Sequence, residues 1–310
     1  MDLVAVCGPT ASGKTRLGVE LARRYGGEIL SVDSRQVYRG LDLGTGKDLA
    51  EYDAPEGRVA CHLIDIADPR QVYTLWRFLA DFGTAVRAVR DRGHLPIAVG
   101  GTGLYLEAAL RGYRVPDVAA DPELRRALMG QPAGELAARL EALAPDLHRR
   151  TDLSSHKRIV RALEVALHVG TGPPARGPVG LPPMRALVLG VRWRRPELRQ
   201  RIAERLDARL QAGLVEEVEG LLCRGVPPAR LEELGMEYRH VARFLRGKLG
   251  REEMHRALLA DIGRLAKRQE TWFRGMERRG VPIHWVERAE VEQAAGIMEA
   301  WLRRICGRCA

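Results

Sequence analysis

Apolar residues along this chain fall into short unbroken runs that alternate with longer stretches of helical spacing. Leu3–Cys7 is one such run, and Arg16–Tyr25 behind it repeats its apolar positions at the helical period. Glu28–Val32 reads as a second strand ending at Asp33, His62–Ile66 as a third, and Leu95–Val99 as another buried one. Between them, Thr74–Arg92 places Leu75, Phe78, Leu79, Phe82, Val86 and Val89 at helical spacing and stops at Arg92-Gly93. Strands this uniformly apolar are covered on both faces, so the pattern predicts an α/β fold with a parallel sheet and helices over it.

From 116 to 183 the pattern changes. Short helical stretches (DPELRRALM, GELAARLEAL, HKRIVRALEVALHVG) are broken by prolines and glycines and end in TGPPARGPVGLPP. That predicts a helical insertion domain with a flexible exit. Ala186–Val191 then resumes an apolar strand, Pro196–Leu222 and Arg251–Arg278 read as long basic helices, Val281–Val286 as a last strand, and Glu290–Arg304 as a closing helix. The expected organisation is a catalytic core of 1–115 and 184–310 around an insertion at 116–183.

The chain of 310 residues is long enough to bury a core of this kind. Its net charge of +10 favours a polyanionic partner, nucleic acid or an acidic membrane surface. No apolar run approaches the roughly 18 residues that cross a bilayer, and the amino terminus enters a strand directly, leaving no room for a signal peptide. A cytoplasmic protein is expected. Five cysteines lie scattered at Cys7, Cys61, Cys223, Cys306 and Cys309, which argues against a disulfide framework. Cys306 and Cys309 form a C-x-x-C pair, but a zinc site needs four ligands and no second pair stands near; a loose tail is the simpler reading.

The chemistry begins at GPTASGKT, residues 8–15. Gly8-x-x-x-x-Gly13-Lys14-Thr15 between a strand and a helix is the Walker A pattern, in which backbone N–H groups converge on a phosphate. Lys14 supplies a point charge, and the hydroxyls of Ser12 and Thr15 reach phosphate or magnesium. Such a loop recognises a diphosphate, and any diphosphate ester satisfies it. If the ligand were ATP, Leu63-Ile64-Asp65 is the one plausible strand-end aspartate for magnesium, and it reads equally well as a loop cap. A small-molecule kinase and an RNA-dependent ATPase both remain open at this point. Asp33 follows a strand next to the loop, where an α/β sheet builds its ligand crevice; it reads as a proton acceptor or as a turn cap. Arg201, Arg205 and Arg209 share a helix face and, with Arg192, Arg194 and Arg195, form a basic ridge; Arg201 and Arg209 read as well as an ordinary solvated face. Lys267, Arg268 and Arg274 interleave with Trp272 and Phe273, a composition suited to RNA, although the two aromatics read first as core.

With these residues in view the chain resembles the tRNA dimethylallyltransferase (tRNA isopentenyltransferase) family nearly end to end. The matches are GPTASGKT (8–15), VDSRQVYRGLDLGTGK (32–47), HLIDIADP (62–69), VGGTGLYLEAAL (99–110), KRIVRALEV (157–165), RIAERLDARLQAGLVEEV (201–218) and AKRQETWFRG (266–275). The resemblance implies a P-loop NTPase-like core and the transfer of a dimethylallyl group from dimethylallyl diphosphate to the exocyclic amine of an adenosine beside the anticodon. It implies that Gly8, Pro9, Thr10, Ala11, Ser12, Gly13, Lys14, Thr15 and Arg205 hold the diphosphate, with Mg2+ at Thr15. Asp33 is then the general base, and Thr102 lies near the acceptor. Asp33, Ser34, Arg35, Gln36, Thr102, Arg125, Lys157, Arg158, Ile159, Val160 and Arg161 match positions that touch tRNA. The implied partners are the tRNA anticodon stem-loop and dimethylallyl diphosphate, with no membrane, and the chain is expected to act as a monomer. The sequence departs from the family pattern at GTGKD (44–48), at the single His62, at LGMEYRH (234–240) and at Gly263. His62, alone beside an apolar strand, reads as a packed, hydrogen-bonded residue.

Overall fold

The computed structural model describes residues 3–53, 57–170 and 181–306. The chain opens with β1 (Leu3–Cys7), α1 (Lys14–Tyr25) and β2 (Gly27–Ser31), then β3 (Cys61–His62), α2 (Leu75–Asp91), β4 (Leu95–Gly100) and α3 (Gly103–Arg111). Four helices follow, α4 (Pro122–Met129), α5 (Ala133–Leu143), α6 (Pro145–Arg150) and α7 (His156–Gly170). The chain then returns through β5 (Ala186–Arg192), α8 (Arg195–Gln211), α9 (Leu214–Cys223), α10 (Pro228–Leu234), α11 (Met236–Leu245), α12 (Arg251–Arg278), β6 (His284–Glu287) and α13 (Val291–Cys306). It divides into two compact units, Met1–Gly112 with Leu181–Ala310, and Tyr113–Gly180.

The larger unit is built on one sheet in the order β3-β2-β4-β1-β5-β6, and every pairing is parallel. All of β1 is buried, which is what an unbroken Leu-Val-Ala-Val-Cys run requires when helices cover both faces. Register then fixes the site. Cys7 lies beside Gly100 of β4 and Gly190 of β5, and Ser31 of β2 lies beside Val99, so the loops after β1, β2 and β4 leave from one edge of the sheet. An open α/β sheet binds its ligands at that edge.

The sequence reading and the structure differ in places with local causes. His62–Ile66 is not a strand throughout: β3 stops after His62 because Leu63 and Asp65 adopt φ of 66° and 57°. Pro196–Leu222 is two helices, broken where Gly213 takes φ 103°. The last strand starts at His284, not Val281, and α10 and α11 were not foreseen. Most of the proposed flexible exit, and Cys309 of the C-x-x-C pair, lie outside the described residues.

The smaller unit has its own core, with Leu128, Leu136, Leu140, Ile159, Val160 and Leu163 all buried. Within it Glu164, buried, accepts from Arg125 at 2.8 Å, Arg161 at 2.5 Å and the Asp121 amide at 2.7 Å. Burial is the largest single effect and raises the carboxyl's pKa, but Arg125, Arg161 and the Asp121 amide together outweigh it and hold the group below its ordinary value.

A second buried carboxylate ties the edge of the main sheet. Glu28 on β2 accepts from Arg92 at 2.9 and 2.6 Å and lies 2.6 Å from His62 Nε2 and 2.5 Å from His94 Nδ1. His62 is therefore the hydrogen-bonded residue expected of it. Arg92 is the main cause that holds Glu28 down at about 2; burial pulls the other way, and the two histidines add to the lowering. A folded-state value below the unfolded one contributes stability that is present above about pH 4.5 and lost as pH falls toward about 2. Glu28→Gln should therefore cost about 2 kcal/mol at pH 7 in urea unfolding. The gap between variant and parent should close as the pH falls through that window; a gap that stays constant would contradict the assignment.

Candidate active site

The phosphate loop turns between β1 and α1 with Ala11 at φ 61° and Gly13 at φ 81°. Its carbonyls are held from outside. Arg201 Nε donates to Ala11 O at 2.9 Å and Trp193 Nε1 donates to Ser12 O at 2.9 Å, while within the loop the Ser12 amide donates to Pro9 O at 3.3 Å. The first amides of α1 have no intrahelical acceptor, and no acidic residue stands in its first turn, so the helix presents its positive end to the loop. A cavity of about 570 Å³ opens there, lined among others by Ser12, Gly13, Lys14, Thr15, Glu51 and Arg205.

Cations crowd this cavity. Burial first and Arg205 second lower the Lys14 ammonium to about 8, with Asp33 and Asp48 opposing. Arg205 pairs with Asp48 and reaches Gly46 O and Thr10 Oγ1 at 3.4 Å each. Arg209 is pushed down to about 10 by burial first and Arg205 second, and its Nη2 is buried without a hydrogen-bond partner among the described residues. Neither Arg201 nor Arg209 is an ordinary solvated residue: Arg201 grips the loop and lies 4.4 Å over the Trp193 ring, and the Arg209 side chain is 12% exposed.

The oxygen donors of this cavity fit a hard divalent cation. Thr15 and Glu51 both line it, and Glu51 Oε2 is buried with no hydrogen-bond partner among the described residues. The Glu51 carboxyl is raised, first by burial and then by Asp48, as a carboxylate short of counter-charge should be. No cluster of three or more His, Cys, Asp or Glu stands ready among the described residues, so Mg2+ here would draw most of its ligands from a bound diphosphate. Asp65 is not among the lining residues: it is the counter-ion of buried Lys47, which also binds Asp42 at 2.6 Å and Tyr38 O at 2.9 Å.

A second cavity of about 590 Å³ contains Asp33, Ser34, Arg35, Thr102, Arg268 and Trp272 in its lining. Asp33 Oδ1 accepts from the amides of Arg35 at 2.8 Å and Gln36 at 3.3 Å, the turn cap that the sequence allowed. Its Oδ2 makes no hydrogen bond among the described residues, so capping and proton acceptance are compatible on one carboxylate. Thr102 Oγ1 accepts from the Ser34 amide at 3.1 Å, which leaves its own hydrogen available. Trp272 forms part of the wall while Phe273 is fully buried, so the two adjacent aromatics divide between site and core. A Cβ at Gly103 would stand 2.2 Å from the Trp272 ring, so only glycine at the start of α3 admits it.

The residue that joins the two cavities went unassigned in the sequence. Gln269 on α12 accepts from the Thr10 amide at 2.8 Å and donates to Gly101 O at 3.0 Å, pinning the phosphate loop to the loop after β4. It sits inside AKRQETWFRG, where only the charged and aromatic neighbours had a chemical reading. Glu217 was also missed. It accepts from the amides of Asp42 at 2.9 Å, Leu43 at 2.6 Å and Gly44 at 3.1 Å and from Tyr238 Oη at 2.8 Å. A Cβ at Gly44 would strike the Tyr238 ring at 2.5 Å, so the two departures from the family pattern, GTGKD and LGMEYRH, meet in space.

Several residues expected at the RNA have partners within the protein. Gln36 is spent on Ser31 and Gly46 at 2.9 Å each. Ile159 and Val160 are 0% and 3% exposed, so their side chains belong to the core of the smaller unit. Arg125 and Arg161 are engaged with Glu164, whereas Lys157 and Arg158 are exposed.

Residues 36–276 match the family described as IPP transferase, and 1–56 match the one described as isopentenyl transferase. The chain is 50% identical to tRNA dimethylallyltransferase 1 of Geotalea uraniireducens over 92% of each chain. It is 51% identical to tRNA dimethylallyltransferase 2 of Syntrophotalea carbinolica over 93% of this chain and 95% of that one. The tRNA isopentenylpyrophosphate transferase structure from Bacillus halodurans aligns with a TM-score of 0.68 and 32% identity, covering 98% of this chain and 95% of that one. A eukaryotic dimethylallyltransferase structure shares the fold at a TM-score of 0.74 and 22% identity, covering 98% and 78%.

Two outcomes follow from the geometry. Gln269→Leu strips both loops of their shared partner and should weaken inorganic diphosphate binding about tenfold by calorimetry, since an unmade buried hydrogen bond costs about 1–3 kcal/mol; unchanged affinity would show that the bridge does not shape the loop. Lys14 carries its charge below about pH 8 and loses it above. Diphosphate affinity should therefore fall between pH 7 and pH 9, and Lys14→Met should flatten that dependence.

Proposed function

We propose, from the premise that the chain belongs to the IPP transferase family and acts as a tRNA dimethylallyltransferase, that its two cavities divide one alkyl transfer between them. The diphosphate of dimethylallyl diphosphate occupies the cavity at the phosphate loop, and the exocyclic amine of the adenosine next to the anticodon enters the cavity of Asp33. The single observation that supports this division is the Asp33 carboxylate, with Oδ2 uncommitted, in a recess bounded by the loop that Gln269 fastens to the phosphate loop.

The amine is a poor nucleophile because its lone pair is delocalised into the purine ring. As nitrogen bonds to the allylic carbon, that carbon's bond to the diphosphate oxygen breaks and the electron pair leaves with the diphosphate. Asp33 takes the proton from nitrogen, a contribution of typically about a hundredfold to ten-thousandfold. Lys14, Arg205 and the amides at the start of α1 stabilise the charge that builds on the departing group. Thr15 and the diphosphate itself would hold Mg2+, which would supply further charge neutralisation there. The loop thus clamps a leaving group.

An adenosine in a single-stranded loop is unstacked at low cost, and Trp272 with Arg268 offers it an aromatic and cationic wall. Ser34, Arg35 and Thr102 border the same recess. Lys157 and Arg158 give the insertion a basic face for the anticodon stem, and the +10 charge draws the polyanion in. Both cavities lie within one chain, so a monomer suffices, and a cytoplasmic enzyme is consistent with a tRNA substrate. No helix among the described residues is long and apolar enough to cross a membrane.

Asp33→Ala should lower kcat by two to four powers of ten while the tRNA dissociation constant stays within about twofold. Single-turnover assays with nucleoside analysis of the product tRNA, beside a filter-binding titration, read both. Parent-like turnover in this variant would remove Asp33 from the chemistry.

A further inference from the structure

The back of α12 carries a recess that the reaction does not use. The helix turns about 100° per residue, so Asp261, Leu265, Arg268 and Trp272, which face the acceptor cavity, lie opposite Leu259, Gly263 and Lys267. Those three, with Leu198, Arg199 and Ile202 of α8, line a groove of about 520 Å³ between the two helices. Its floor is aliphatic and deep: Leu198, Ile202 and Ala266 are 4%, 3% and 4% exposed.

Its mouth is cationic. Arg195, Arg199, Arg256 and Lys267 all line it, and among the described residues none of these four side chains makes a hydrogen bond or ion pair. Arg264 beside them is committed to Asp261 at 3.0 Å, and one carboxylate, Glu270, shares the lining. Some arginines elsewhere are matched, as Arg92 is to Glu28 and Arg125 to Glu164. The groove is open at Gly263, where a Cβ would meet nothing within 4 Å.

We propose that this groove binds an amphipathic anion, an isoprenoid chain that ends in a phosphate or diphosphate, as a site separate from the phosphate loop. The chain has the aliphatic floor to bury against, and the head has unpaired guanidinium and ammonium groups at the mouth. The volume falls in the range of small-molecule sites, about 300–1,000 Å³. RNA is disfavoured because the lining holds no aromatic platform for a base. A bilayer is disfavoured because its partner is an apolar face that projects, whereas this one is recessed.

The test titrates farnesyl phosphate by calorimetry into the full chain, with the phosphate loop already saturated by inorganic diphosphate and magnesium. One equivalent should bind to the parent. Gly263→Leu fills the groove, and Arg199→Ser with Arg256→Ser strips its mouth; each should lower farnesyl phosphate affinity at least tenfold while inorganic diphosphate affinity stays within twofold. Gly263→Leu should melt no lower than the parent, since leucine favours a helix interior over glycine. No binding to the parent, or undiminished binding to Gly263→Leu, would overturn the proposal. So would a tenfold loss of tRNA affinity in the double arginine variant, or binding of the parent to phosphatidic acid vesicles, without any response to farnesyl phosphate.

Discussion

Everything at the site depends on β1 lying beside β4 in parallel register. With Cys7 opposite Gly100, the loops that follow the two strands emerge side by side, and Thr10 and Gly101 come within reach of one side-chain amide. The groups to be joined are an N–H and a C=O, and a primary amide supplies one acceptor and one donor. A carboxylate or an ammonium would satisfy only one of them. Gln269 therefore sets the spacing between the place where the diphosphate binds and the place where the amine arrives, from a helix late in the chain.

Charge is arranged around that spacing at some cost to the empty protein. Burial first, and then the pressure of Arg205 beside them, make Lys14 and Arg209 hold their protons less firmly than usual. Asp48 relieves part of the strain by pairing with Arg205, and Asp33 and Asp48 both pull Lys14 back toward its ordinary value. An incoming diphosphate relieves the rest, and more so as negative charge collects on it. Interactions that strengthen along the reaction are the ones that accelerate it.

Much of this was legible in the chain. The glycine spacing of 8–15 and the apolar run before it gave the loop and its place on the sheet, and the long alternation from Leu3 to Val99 gave the parallel architecture. The aspartate after β2 was visible for the same reason, since ligands gather at that edge. What stayed hidden depended on distant partners. Glu217 looks like any helical glutamate until its carboxylate is seen gathering three amides of the 42–44 turn. Arg201 and Arg209 have the spacing of a solvated face, and only tertiary packing turns Arg201 to the loop and Arg209 toward Gly46 and Asp48. Ile159 and Val160 differ again: a stretch that the resemblance matches to tRNA-touching positions includes two side chains that helical periodicity buries in the smaller unit.

The central claim is that the phosphate loop holds a leaving group and not an energy source. The direct measurement is a stoichiometry: purified protein, magnesium, unmodified tRNA and dimethylallyl diphosphate, with ATP present in a parallel reaction, followed for diphosphate release, ATP hydrolysis and tRNA mass. The account predicts one diphosphate released for each five-carbon unit gained by the tRNA, with ATP left intact. Cleavage of ATP with tRNA of unchanged mass would contradict it.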